Sequence, residues 1–205
     1  MIAIVNYGLG NVHAIANIYK RLNIPTLIAT NAQELMSADR LILPGVGAFD
    51  WALSRLHESG MRDALDRAVI DDCKPVLGIC VGMQMMAKRS QEGTAPGLGW
   101  VDAEVHKFDQ SMGGARISLP HMGWNTVRPI EGGGIFRELD ESARFYFLHS
   151  YFFAPNNVAN ILAETDYHIT YASAVKARGN IYGVQFHPEK SHQWGIQLLN
   201  NFASL

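Results

Sequence analysis

Apolar and polar residues switch repeatedly between two periods along the chain. Residues 2–7, "IAIVNY", form a short β-rich run closed by "GLGN". Residues 11–22 then carry Val12, Ile15, Ala16, Ile18, Tyr19 and Leu22 at helical spacing, which predicts a helix with Asn11 as its N-cap. "TLIA" (26–29) and "RLILP" (40–44) predict a second and a third strand, the latter stopped by Pro44-Gly45. Residues 49–72 predict helix interrupted near Ser59-Gly60, "PVLGI" (75–79) a fourth strand, and 81–88 the start of another helix. Strands separated by helices imply right-handed βαβ crossovers and a parallel sheet covered on both faces.

The second half has a different texture. Residues 93–134 are rich in glycine, with two shorter strand candidates around 100–105 and 123–127. The stretch 143–153, "ARFYFLHSYFF", is aromatic and β-rich. "ANILAET", "YASAVKA" and "IYGVQF" predict successive strands, and residues 195–202 an amphipathic closing helix. With no repeat, low-complexity segment or linker, residues 1–205 are expected to form one α/β domain. Its sheet should be open, twisted, mostly parallel but mixed, and flanked by helices.

Composition narrows the partners. The 205 residues are 48% hydrophobic and 18% charged, with a formal net charge of −2, which describes a folded globular chain. No block of Lys and Arg marks a nucleic-acid or anionic-membrane surface. No apolar run is long enough to span a bilayer. The N-terminus lacks a basic n-region and reads as a first strand rather than a signal peptide. Cys73 and Cys80 form no disulfide framework, which suits a reducing cytoplasm. Without HExxH or CxxC spacing, no metal and no cofactor is expected.

Three stretches carry candidate chemistry. "VLGICVG" (76–82) places Cys80 between Gly78 and Gly82 at a strand-to-helix junction. A nucleophile elbow needs small neighbours there, because its central residue is strained and crowded. The helix that follows aims free N–H groups at the sulfur, and the Val81 N–H suits a developing oxyanion. "GVQFHPEKS" (183–191) supplies His187 and Glu189 after a strand. Extended residues i and i+2 point the same way, so Glu189 is expected beside His187 to orient the ring. "LPGVGAF" (43–49) follows the third strand, and Val46 or Gly47 is expected to give a second oxyanion N–H. Taken singly, these are a buried small hydrophobe, a solvated turn and a tight turn. Together they supply a nucleophile, a base, an orienting carboxylate and an oxyanion site. "GLGNVH" (8–13) lacks the third glycine of a dinucleotide loop, and His13, His57, His106 and His168 read as surface or core residues.

The combination of "PGVG", "GICVGMQ" and "FHPEKS" resembles the class I (triad) glutamine amidotransferase family across essentially the whole chain. That resemblance implies a flavodoxin-like α/β fold and hydrolysis of L-glutamine through a thioester on Cys80, with His187 as base and Glu189 as its orienter. "YGLGN", "PHMGWN" and "FYFLHSYF" are similar to the family's histidine-biosynthesis branch. These are glutaminase subunits that pair as heterodimers with a (β/α)8-barrel cyclase making imidazole glycerol phosphate. By the same resemblance, Gln84, His149, Ser150, Tyr151 and Phe152 surround the glutamine, while Asn11, Trp124, Asn125, Tyr146 and Lys190 face the partner. On composition alone Trp124 and Tyr146 read as core. The resemblance also implies weak activity until partner and ligand bind; the two glycines of "PGVG" make a peptide flip cheap, and a carbonyl is expected to face the oxyanion site beforehand. Three readings stand beside it. One is a paralogue supplying ammonia to a nucleotide-linked sugar. The second is a non-catalytic binding protein, and the third a cysteine peptidase.

Overall fold

In the computed structural model, which describes residues 1–109, 118–130 and 132–205, the alternating pattern of the first half becomes β/α units. They run β1 (Ile2–Val5), α1 (Val12–Arg21), β2 (Thr26–Ala29), α2 (Ala32–Met36), β3 (Arg40–Gly45), α3 (Phe49–Glu58), α4 (Arg62–Asp66), β4 (Val76–Cys80) and α5 (Val81–Met85). Every residue of β1 and β4 is buried, which is why these strands are continuous apolar runs rather than alternating ones. The expected break in helix 49–72 falls at Gly60, whose φ is +70°. Beyond it, α4 runs into a π turn at Arg67–Asp71. The helix expected over 81–88 ends at Met85, where the chain turns to pair Lys88 N with Ala103 O.

The second half adds β5 (Arg89–Ser90), β6 (Ala103–Lys107), β7 (His121–Thr126), β8 (Arg128–Pro129), β9 (Arg144–His149), β10 (Tyr151–Pro155), β11 (Ile161–Tyr167), β12 (Ile169–Ala177), β13 (Ile181–Val184) and α6 (His192–Ala203). The aromatic run 143–153 is thus two strands, broken at Ser150. β10 enters the main sheet, while β9 pairs with β7 in a separate two-stranded ribbon. The glycine-rich stretch 93–134 lies partly outside the described residues.

The main sheet has the order β2-β1-β3-β4-β13-β12-β10-β6-β5. Its first five strands are parallel, and β13, β12, β10 and β6 pair antiparallel in succession. α1 packs on α6, α2 on α4 and α3 on α5. The Tyr19 hydroxyl ties the first pair by donating to Leu199 O at 3.1 Å. α6 starts three residues before the amphipathic pattern suggested. Gly195 permits this, since a Cβ there would collide with the Pro188 carbonyl. Among the described residues no helix is long and apolar enough to cross a membrane.

Candidate active site

Three neighbouring parallel strands deliver the site. β3 and β4 are in register with Gly45 opposite Cys80, and β13 flanks β4 on the other side with Val184 opposite Ile79. The C-terminal ends of β3, β4 and β13 therefore lead side by side into the loop at Val46-Gly47, the Cys80 turn and His187. Open α/β sheets bind ligands at such an edge.

Cys80 has φ 55° and ψ −114°, a left-sided backbone that a side chain tolerates only under constraint. The constraint is packing. A Cβ on Gly82 would run into the Leu43 carbonyl of β3, and one on Gly78 would lie 2.8 Å from Met83 N. Only glycines let α5 begin this close to the sheet. The turn leaves the thiol buried, 3% exposed, immediately before a helix whose leading N–H groups are free. Gln185, fully buried after β13, donates Nε2 to Cys80 Sγ at 3.9 Å.

His187 and Glu189 meet as expected, Nδ1 to Oε1 at 2.9 Å, both side chains buried. The reason differs from strand alternation. Pro188–Lys190 is a 3-10 turn, so Glu189 curls back under the ring. Ser191 clamps the turn: its hydroxyl donates to His187 O at 2.6 Å and accepts from Tyr146 N at 3.1 Å. Burial opposes a charged imidazole, but hydrogen bonds to Cys80 and Glu189 outweigh it and raise His187 to about 10. Burial likewise opposes the Glu189 carboxylate, yet the bonds from His187 and Asn11 hold it below the usual range. The resulting line is thiol, imidazole, carboxylate.

Asn11 corrects the sequence reading. It precedes α1 but makes no side-chain cap; its Nδ2 donates to Glu189 Oε1 at 2.7 Å. Gly10 makes this reach possible, with φ +93° and no room for a Cβ against Pro44. Asn11 is a fourth member of the Cys80 line. Its bond and that of His187 both fall on Oε1, and among the described residues no other side chain bonds the buried Oε2.

Beside the thiol lies a cavity of about 310 Å³. Val46, Gly47, Cys80, Val81, Gln84, His149, Ser150, Tyr151 and His187, all expected near the site, line it, and Lys190, expected to face the partner, lines it too. Gly47 has φ +88°, a turn that only glycine makes without strain. Gln84 is buried and donates Nε2 to Tyr151 O at 3.0 Å and to Gln185 Oε1 at 3.1 Å. Phe152 is not at the cavity. It alternates away from Tyr151 along β10 and packs against Phe108, centroids 4.8 Å apart.

Trp124, Asn125 and Tyr146 lie on the ribbon. Trp124 opposes Tyr146 and Met122 opposes Leu148, so all four share one face. Met122, Trp124 and Leu148 are 65%, 40% and 39% exposed, which overturns the core reading of Trp124 from composition. Lys190 Nζ sits 5.5 Å over the Tyr146 ring and Trp124 stacks on His192, so the patch reaches the cavity rim. Asn125 instead turns toward β11, donating to Asp166 O at 2.9 Å.

Sequence reasoning missed Glu92, Pro120 and Leu148 in the lining. Glu92 is half-buried and its Oε2 accepts from Phe49 N at 2.9 Å. Burial pushes its carboxyl up, the Phe49 N–H opposes this, and Asp50 adds to it. No local pattern marks Glu92, because it acts across 43 residues. Met122 and Leu148 follow by period 2 from Trp124 and Tyr146 once β7 and β9 are paired. Among the described residues no group of His, Cys, Asp and Glu could hold a metal.

A buried thiol on an elbow, an imidazole oriented by a carboxylate and a lined cavity of amino-acid size make an acyl-transfer site. The fold and this site are those of a class I glutamine amidotransferase. The profile described as "Glutamine amidotransferase class-I" matches residues 3–204, and the chain belongs to that family. Among similar proteins, the imidazole glycerol phosphate synthase subunit HisH of Bdellovibrio bacteriovorus is 55% identical over 205 residues, covering 100% of both chains. The protein of the same name from Leptospira interrogans is 46% identical, again over 100% of both. Solved structures agree on the fold. A crystal structure of a glutamine amidotransferase superposes with TM-score 0.75 at 19% identity, covering 100% of this chain and 99% of its own. PurLQS from Thermotoga maritima gives 0.74 at 14% identity over 99% and 97%.

Proposed function

We propose that the chain is the glutaminase subunit of an imidazole glycerol phosphate synthase, working in the cytoplasm as one domain of 205 residues. The observation that carries the chemistry is the Cys80–His187–Glu189 line opening on the 310 Å³ cavity. The pathway rests on full-length relatives of that name.

Cys80 Sγ, its proton held by His187, attacks the carboxamide carbon of L-glutamine. The oxyanion forms against the Val81 N–H and the Val46-Gly47 loop. That proton passes from His187 to the amide nitrogen, the C–N bond breaks, and ammonia leaves a thioester on Sγ. Water then gives His187 a proton as it attacks the thioester, releasing glutamate and the thiol. Glu189 and Asn11 hold the ring throughout. Gln84, Ser150 and Tyr151 contact the substrate, and the half-buried Glu92 carboxylate faces its α-ammonium. Ammonia goes to a (β/α)8-barrel cyclase docked on the exposed face of β7 and β9, beside Lys190. It is used there to make imidazole glycerol phosphate and an aminoimidazole carboxamide ribonucleotide.

The deciding experiment mixes the chain with a purified cyclase, glutamine and the phosphoribulosyl-formimino carboxamide ribonucleotide. Glutamine-dependent formation of imidazole glycerol phosphate, abolished by Cys80→Ala, is the expected result. Glutamine hydrolysis surviving in Cys80→Ala, or hydrolysis of peptides instead, refutes the reading.

A further inference from the structure

From His149 in the cavity wall a line of buried polar groups that the mechanism above does not use runs inward. His149 Nδ1 lies 2.8 Å from the Tyr151 carbonyl, and its Nε2 lies 3.1 Å from the Tyr171 hydroxyl. The same hydroxyl is 3.1 Å from His121 Nδ1, and His121 Nε2 is 3.3 Å from Asn125 Nδ2. Tyr171, His149 and His121 are all buried.

Chemistry fixes the direction of every bond. A carbonyl only accepts, so His149 Nδ1 carries the proton. Burial keeps both rings neutral, pulling His149 down to about 3 and His121 to about 4. His149 Nε2 is therefore bare and accepts from Tyr171. Burial also holds the Tyr171 hydroxyl protonated, and its single proton is spent on His149. Its oxygen then accepts from His121 Nδ1–H, and His121 Nε2 accepts from Asn125. The Asn125 amide cannot be turned over, because its Oδ1 already accepts from Thr126 N at 2.8 Å and its Nδ2 also serves Asp166 O. The His121 ring is gripped between Phe147 and Tyr167, stacked at 4.6 and 3.9 Å with both interplanar angles 11°.

The line continues to the nucleophile. The Tyr151 carbonyl that receives His149 Nδ1–H also receives Gln84 Nε2, which bonds Gln185 Oε1, and Gln185 donates to Cys80 Sγ. We propose that Tyr171 is a positioning residue for glutamine hydrolysis. Its hydroxyl, between two oppositely acting histidines, fixes the His149 ring and so the Tyr151 carbonyl that seats Gln84 and Gln185 at the substrate wall. A Tyr here cannot be exchanged for Phe without leaving His149 Nε2 and His121 Nδ1–H both unpaired in the interior.

This rests on the reading that the cavity binds glutamine, and the test separates the two. Glutamine kinetics are measured for wild type and Tyr171→Phe in complex with the cyclase. One lost neutral hydrogen bond at the wall predicts a KM for glutamine raised about fivefold with kcat within about twofold. Nitrogen-15 NMR of labelled histidines in the unmutated chain is expected to show His149 and His121 as Nδ1–H tautomers, with both rings' shifts moving in Tyr171→Phe. A His149 Nε2–H tautomer overturns the proposal. So does an unchanged KM, or a fall in kcat alone that tracks a lower melting temperature. A wild-type complex that ignores glutamine refutes the functional reading instead, whatever the tautomers show.

Discussion

At the residue scale, one oxygen carries much of the site. Glu189 Oε1 accepts from both His187 and Asn11, while among the described residues no other side chain bonds Oε2. Replacing Glu189 by Gln keeps the shape but puts an amide where the imidazolium needs an acceptor charge. We expect kcat to fall by about 10²–10⁴ with little change in KM, read by steady-state glutaminase assay with the cyclase present. Asn11→Ala removes only a partner of the carboxylate, so a loss of about tenfold or less in kcat is expected. An Asn11 loss equal to that of Glu189 would make Asn11 the primary orienter. The two residues also show what a sequence conceals. Cys80, His187 and Glu189 were legible because each sits in a short motif whose spacing has a mechanical reason. Asn11 read as a helix cap and, by resemblance, as a partner-facing residue, and its bond to Glu189 across 178 residues has no local signature.

At the element scale, the Cys80 turn depends on how closely α5 approaches β3. Gly82→Ala forces a methyl into the Leu43 carbonyl and is expected to destabilise the fold by about 3 kcal/mol or more, seen in urea unfolding. Gly47→Ala is different. A Cβ there meets only Trp51 Cδ1 at 4.0 Å, but φ +88° strains any side chain by about 1–2 kcal/mol. Its loss should appear in turnover more than in stability. The ribbon of β7 and β9 gives a third expectation. Met122→Asp or Leu148→Asp leaves the core untouched, since both are exposed, but should weaken cyclase binding about 30-fold or more by titration calorimetry. Parallel strands and their helices were readable because βα units are local. The ribbon was not, because "FYFLHSYFF" is one apolar run whose division at Ser150 follows from pairing partners far along the chain.

Over the whole molecule, buried histidines of opposite sense set the acid and base limits of stability. His187 is raised from 6.5 to about 10 in the folded chain. In the folded chain that proton, taken from Cys80, outlasts an unfolded thiol's, which leaves at about pH 8.5, so this stabilisation is full below that pH and lost as pH rises through 10. His121 and His149 are lowered from 6.5 to about 4 and 3. Their contribution is full above pH 6.5 and is lost as pH falls through those values. Each group changes stability by about 1.4 kcal/mol per pH unit inside its window. The melting temperature should thus peak near neutrality and fall on both sides. His121→Phe should soften the acid limb, while Cys80→Ala, which removes a partner of His187, should soften the alkaline one.

A single backbone bridge joins Tyr146 to His187, and it has a kinetic side. The His187 amide donates to Tyr146 O at 2.9 Å, which makes the base a backbone neighbour of the exposed ribbon. Its proton can reach solvent only when ribbon and triad turn part. Deuterium uptake at that single amide therefore times the opening of this seam. A cyclase seated on Trp124 and Tyr146 should slow that uptake, so the His187 amide would report occupancy of the neighbouring surface with no substrate present.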